Sequence, residues 1–133
     1  MALGLSAAIA NDILDALCTN GALTTLPVAQ FWIELRTGDP GASGGAANVA
    51  GNATRKQVTF GTATGGAVSN TAAITWTTGE VDTSEDYTHW AGWTAVTAGT
   101  FLCSGLMTAN AVTVGDEFTI PVGDLDLSLT VAA

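Results

Sequence analysis

Residues 38–54 read GDPGASGGAANVAGNAT and follow an alternating apolar/polar run, IELR at 33–36. Glycine-rich loops after strands cradle phosphates when their glycines end in Lys-Ser/Thr, or keep G-x-G-x-x-G spacing before a helix. Neither pattern occurs here, and the residues that follow, RKQVTF at 55–60, read as a strand. Asp39-Pro40-Gly41 instead fits a β-turn, in which Asp accepts a local hydrogen bond, Pro presets φ and Gly supplies φ > 0. The glycine/alanine span beyond the turn is long for a connection in a compact fold, and loops of that length are functional or mobile. We expect a neighbouring subunit to order it, with Asp39, Pro40, Gly41, Gly44, Gly45 and Asn48 in the contact.

The remaining reactive residue types form no recognisable constellation. Glu80, Asp82, Glu85 and Asp86 make an acidic run, but without the alternating D-x-D-x-D-G spacing of a calcium loop it reads as a solvated acidic loop. One histidine, His89, and two distant cysteines cannot close a tetrahedral zinc site without carboxylates. There is no G-x-S-x-G elbow, and His89 sits between aromatic residues in an apparent strand, so a structural or interface role is expected of it. No pair of carboxylates is singled out for glycoside cleavage. Four tryptophans, Trp32, Trp76, Trp90 and Trp93, suit either sugar stacking or core and interface packing. Trp90 and Trp93 differ in strand parity, so one should lie outside the core. Trp32, His89, Trp90 and Trp93 are therefore added to the predicted interface. Asn52-Ala53-Thr54 matches a glycosylation sequon, discounted for want of a secretory signal. The reading assigns no catalytic residue, cofactor or metal, and no enzymatic activity.

Composition points to assembly. Only 11% of the 133 residues are charged, and mean hydropathy is +0.37. Few charges and many small apolar residues imply more hidden surface than a monomer provides, hence a homo-oligomer. Twelve acids face three bases, Arg36, Arg55 and Lys56, for a formal net charge of −9. Phosphate tracking needs a stripe of Lys and Arg, so direct nucleic-acid binding is not expected, nor is an anionic membrane surface. No segment approaches the ~20 apolar residues of a membrane span. The opening MALGLSAAIAND lacks a basic n-region and is broken by Asp12 and Asp15, which favours a helix over a signal peptide. Cys18 and Cys103 are expected as free, buried thiols.

A single domain over 1–133 is expected to position these residues. Ser6 can cap a helix over about 5–20, with Leu5, Ile9, Ile13 and Leu17 on one stripe and Asn20-Gly21 as its stop. From residue 30 the period changes to two. Phe31, Ile33 and Leu35 point one way, and Trp32, Glu34 and Arg36 the other. Val58 and Phe60, then Ile74 and Trp76, repeat the alternation, as do Phe118, Ile120 and Val122, and Leu125, Leu127, Leu129 and Val131. Residues 87–96 and 101–108 read as two strands joined by a turn at 97–100, and 21 threonines suit half-exposed strands. Short strands between Gly-Gly and Gly-Asp turns give a mainly β fold over 30–133. It would be an antiparallel β-sandwich or jelly-roll-like barrel with one N-terminal α-helix and the long 38–54 loop. There is no fixed-period repeat and no heptad pattern.

These stretches also carry a resemblance. IELRTGDPG at 33–41, RKQVTFGTATGGAVSNTAAITW at 55–76, YTHWAGWTA at 87–95 and VTVGDEFTI at 112–120 resemble a family of small tailed-phage virion proteins, usually labelled phage tail fibre or minor tail protein. Relatives often have His where this chain has Arg36, and a plainer aliphatic strand in place of WAGW. The resemblance implies a β-rich component of the phage particle, made in the host cytoplasm, with no catalytic residue to carry over. The absence of repeats favours a capsid decoration or minor capsid protein, as a trimer clamping the major capsid protein. A minor tail or fibre-associated protein is the alternative, and a host-glycan-binding module is a third reading.

Overall fold

The computed structural model describes residues 4–24, 26–52 and 54–132. Helix α1 spans Ala7–Cys18, and Ser6, in extended backbone, accepts from Ile9 N at 3.4 Å as its N-cap. The helix ends as its sequence predicts: Thr19 N and Gly21 N both donate to Asp15 O at 3.0 Å, and Asn20 takes φ +55°. The stripe is narrower than expected. Ile9 is buried and Ile13 partly so, but Leu5, Leu14 and Leu17 are exposed. Asp12, off the stripe, is buried instead because its carboxylate accepts from Thr24 N (3.0 Å) and Thr24 Oγ1 (2.7 Å).

Eight strands follow among the described residues: β1 Phe31–Arg36, β2 Lys56–Val58, β3 Ala67–Ser69, β4 Ile74–Trp76, β5 Glu85–Trp93, β6 Phe101–Val112, β7 Phe118–Ile120 and β8 Asp126–Ser128. The main sheet runs β2-β1-β5-β6, with every pairing antiparallel, and β3–β8 and β4–β7 form two smaller antiparallel sheets. The fold is thus mainly β and antiparallel with one N-terminal helix, in a sandwich-like arrangement. The register of β1 on β5 sets Ile33 opposite Gly92 and Leu35 opposite Trp90, so the apolar half of the β1 alternation faces the core. Phe118 of β7 contacts both Trp76 of β4 (ring centroids 5.8 Å apart) and Tyr87 of β5 (5.0 Å), which joins the β4–β7 pair to the main sheet. Backbone bonds from Ser6 N to Leu102 O (2.7 Å) and from Ser104 N to Gly4 O (2.9 Å) fasten the start of α1 to the outer edge of β6. Gly105 leaves room for the Trp90 indole, which would lie 2.6 Å from a Cβ at that position.

One expectation about burial needs correction. Val122, Leu129 and Val131 do not continue the core alternation, and all three are exposed. Pro121 has no N–H for a ladder and ends β7, while β8 covers only Asp126–Ser128. Of the two tryptophans that strand parity sends to opposite faces, Trp90 is the one in the core, against the Phe31 ring at 6.4 Å, so its place in the predicted interface offers no free surface.

Buried Asn70 joins the small sheets. Its Nδ2 donates to Ala72 O (2.8 Å) and Pro121 O (2.9 Å), and its Oδ1 accepts from Gly123 N (3.1 Å) and Leu125 N (2.9 Å). All four bonding positions of the amide are used, so truncation strands backbone groups that are out of reach of water. Asn70→Ala should therefore lower unfolding stability by about 1–3 kcal/mol. The effect would be read as a lower urea midpoint with an unchanged slope.

Candidate functional site

The glycine-rich loop is the most built feature of the molecule, and what builds it is a buried cation. Glu34 and Arg36 stand two residues apart on β1, on the sheet face opposite Ile33 and Leu35, where the alternation alone would put them in water. They are 5% and 1% exposed, because the chain after Arg36 folds back over that face. The Arg36 guanidinium donates from Nη1 to Gly45 O (2.6 Å) and Ala47 O (2.8 Å), and from Nη2 to Gly44 O (3.2 Å). Nη2 also pairs with Glu34 Oε1. Glu34 Oε2 accepts from Arg55 Nε at 2.9 Å, and Arg55 Nη1 donates to Ala95 O (2.9 Å) and Ala98 O (2.6 Å) in the β5–β6 turn. The Arg55 guanidinium lies 3.9 Å from the centroid of the Trp93 ring, a cation–π contact. Loop, β1, the segment before β2 and the β5–β6 turn are thus held by one line of charges, Arg36–Glu34–Arg55. Burial pulls the Arg36 pKa below its ordinary value while Glu34 pulls it back up. A guanidinium stays charged through such a shift.

The loop's own bonds complete the frame. Asp39 Oδ1 accepts from Gly41 N (2.7 Å), Asn48 Nδ2 donates to Asp39 O (2.8 Å), Thr37 N donates to Asn48 O (2.9 Å) and Ala50 N to Leu35 O (3.2 Å). Gly44, at φ +62°, packs so closely on the Phe101 ring that a Cβ would run into it. The β-turn at Asp39-Pro40-Gly41 is therefore as read. Within the chain itself these bonds already hold the loop. The polarity of the loop also settles the phosphate question. A phosphate loop turns N–H groups inward, whereas this one turns carbonyls inward, onto a cation.

The predicted interface residues divide by burial. Gly41, Gly45 and Asn48 are exposed, and Asp39, Trp32, His89 and Trp93 are partly buried. Pro40, Gly44 and Trp90 are buried, so none of the three offers free surface: Gly44 packs on the Phe101 ring and Trp90 lies in the core. Trp76 is also fully buried, with its Nε1 donating to Thr54 O at 2.8 Å, and Arg55 covers Trp93. Only Trp32, whose Nε1 donates to Gln30 Oε1 (3.3 Å), keeps an accessible ring without a cationic cover among the four. That removes most of the stacking surface a sugar platform would need.

Other candidate groups are engaged in structure. His89 Nδ1 hydrogen-bonds with Thr88 Oγ1 at 2.8 Å. In the acidic run, Glu80 Oε1 pairs with Lys56 Nζ at 2.6 Å while its Oε2 accepts from Thr77 N (2.8 Å). The lysine bond foremost holds its carboxyl below the usual range. Glu85 Oε1 accepts from Gly51 N (2.7 Å). Among the described residues no three His, Cys, Asp or Glu side chains gather as a metal site requires, and no helix is long and apolar enough to cross a membrane. Asn52 of the sequon is buried, with its Oδ1 accepting from Thr54 N at 2.9 Å, and Ala53 lies outside the described residues. Two grooves flank Trp90. One, of about 480 Å³, is mainly apolar and is lined by Leu5, Ile13, Leu106 and Leu129 among others. The other, of about 530 Å³, carries Thr108, Asn110 and Asp124.

Glu34, Arg36 and Arg55 were missed as a site. The available signal was numerical: three bases among twelve acids, two of them beside the glycine-rich stretch. The cysteines also differ from expectation, since both are free but only Cys103 is buried, while Cys18 is exposed at the end of α1. Two measurements follow. Arg36→Ala leaves Glu34 with one partner and three carbonyls with none. It should cost roughly 3–5 kcal/mol and open residues 38–50 to limited proteolysis. Burial pushes the Cys103 thiol up to about 12, and the thiolate is the reactive form. At pH 8 a disulfide reagent should therefore titrate one thiol per native chain, Cys18, and two after denaturation.

Comparison with known proteins places this architecture. No curated protein matches the chain significantly. A family model described as podophage GP4 fiber I protein gp80 matches residues 4–128. That match runs from the strand-like start before α1 through β8 and takes in the charge line, the loop and every element of the sheets. The chain belongs to this family of phage fibre proteins, structural components of the virion.

Proposed function

We propose that the chain serves in the fibre apparatus of a podophage particle as a non-catalytic β module whose rigid loop meets a neighbouring virion protein. The observation that carries this reading is the family match over residues 4–128. It favours the fibre-associated alternative over the capsid decoration that the lack of repeats had suggested. The geometry adds a mechanism. A free glycine-rich loop would lose much conformational entropy on docking, of the order of 1–2 kcal/mol per backbone residue fixed. Here Arg36 and the hydrogen bonds of Asp39 and Asn48 have already met that cost in folding. The loop therefore presents Gly41, Gly45 and Asn48, with Asp39 beside them, as a preformed surface, and preorganisation converts into affinity. Glycine and alanine on that surface let a partner backbone approach closely.

All three basic side chains are engaged in ion pairs with Glu34 or Glu80, so the unpaired formal charge of the molecule is carboxylate. An acidic surface keeps virion components apart except where a specific contact is made. Location decides the proposal. Quantified against the major capsid protein in purified particles, the chain should be present in few copies and should co-purify with isolated tails. Labelled antibody should mark the fibres. Hundreds of copies per particle, with label spread over the head, would return the capsid-decoration reading.

A further inference from the structure

Asn20-Gly21, which stops α1, is the only Asn-Gly pair in the chain, and there is no Asp-Gly. That dipeptide carries a reaction of its own. The amide nitrogen of the second residue can attack the asparagine Cγ and close a cyclic imide. Glycine hinders the attack least, because it has no Cβ and its backbone turns freely. Both residues are exposed, so water reaches the pair. What restrains the nucleophile is one carbonyl. Gly21 N donates to Asp15 O at 3.0 Å, with Asn20 held at φ +55°. The same oxygen accepts from Thr19 N (3.0 Å) and Thr19 Oγ1 (2.8 Å). A carbonyl has two lone pairs, so three donors compete for it. They do so on an exposed turn, where such bonds open readily.

We infer that Asn20 is a site of spontaneous deamidation, gated by the last turn of α1. While Gly21 N is bonded to Asp15 O the pair is inert. When the turn opens, Gly21 N attacks Asn20 Cγ. The N–Cγ bond forms, the Cγ–Nδ2 bond breaks, and the side-chain nitrogen leaves as ammonia with the proton that Gly21 N gives up. Water then opens the imide at either carbonyl and leaves an aspartyl or an isoaspartyl residue. A second clasp sets how often the turn opens: the Asp12 carboxylate, bonded to Thr24 N (3.0 Å) and Thr24 Oγ1 (2.7 Å), ties down the segment that carries Gly21. The change runs one way. It adds a carboxylate at the C-terminal end of α1, where the helix dipole disfavours one, and the isoaspartyl form puts an extra methylene into the main chain before Gly21. The other asparagines are shielded. Asn52 and Asn70 are buried, and Asn11, Asn48 and Asn110 precede Asp, Val and Ala, whose side chains crowd the attack. None of this depends on where in the particle the chain sits.

Peptide mapping by mass spectrometry tests this, following the change from amide to acid at each asparagine while the purified chain stands at pH 8, folded or in urea. In urea Asn20 should convert first among the six asparagines. In the folded chain it should convert more slowly by about tenfold or more, because only the opened turn reacts. Thr24→Ala removes one bond of the clasp and should speed the folded chain about fivefold, the extra opening that one lost hydrogen bond allows. Buried Asn70 should keep its rate in that variant. Should Thr24→Ala fail to fold, amide hydrogen exchange of the wild type decides instead: the protection of Gly21 N must match the ratio of the urea rate to the folded rate. Equal rates in urea and in the folded chain would overturn the inference. So would another asparagine converting first, a clasp variant no faster than wild type or one that speeds Asn70 equally, and a Gly21 amide that exchanges without protection.

Discussion

One buried ion line sets the conformation of the most irregular part of this molecule. Moving the Arg36 guanidinium out of water costs several kcal/mol, and a single carboxylate does not reliably return it. Here the return is spread over Glu34 and three carbonyls of residues 44–47, so folding the loop is what makes the burial tolerable. The dependence is mutual. Without the loop Arg36 would be wet and Glu34 exposed, and without Arg36 the loop carbonyls would have no common partner. Arg55 extends the same logic to the β5–β6 turn, where it satisfies Ala95 O and Ala98 O and covers Trp93.

That constraint also explains where the sequence was readable. The Ser6 cap, the Asn20-Gly21 stop and the β1 alternation depend on neighbours within a few residues, and each lies where its local chemistry places it. The parity of β1 was correct too: Ile33 and Leu35 face the core, and Glu34 and Arg36 face the other way. What parity could not say is that the other way is also covered. Whether a polar face meets water depends on a loop returning from nine to eleven residues later, and no period within the strand records that. Parity likewise sends Trp90 and Trp93 to opposite faces without saying which one the core takes, because the partners that decide it, Phe31 and Gly105 for Trp90, are distant in sequence. The apolar tail residues fail for the opposite reason. Val122, Leu129 and Val131 have the right types but lie beyond β7 and β8, where their side chains are exposed even though Leu129 N still donates to Gly66 O.

The candidate site was therefore half legible. Its place was visible, because a glycine-rich span after a strand is unusual in a compact fold. Its workings were not, since they rest on tertiary bonds to Arg36 and Asn48. Glycine content alone suggests mobility. Glycine here serves close approach instead: Gly44 packs on the Phe101 ring in a backbone conformation that disfavours a side chain. A loop can be glycine-rich because it is crowded.

The same contrast bears on how a compact chain takes part in a fibre. Its longest element is a 12-residue strand, roughly 40 Å at 3.3 Å per residue, and the sequence contains neither heptads nor a fixed-period repeat. Extension, on the proposed reading, then comes from contacts between modules rather than from a shaft within one. Such contacts demand surfaces that do not deform under load. The folded loop and the helix fastened to β6 are two such surfaces, and each is held by bonds internal to the chain. On that reading, rigidity set once in folding serves at every contact, and so a small acidic chain rich in glycine can be a structural part.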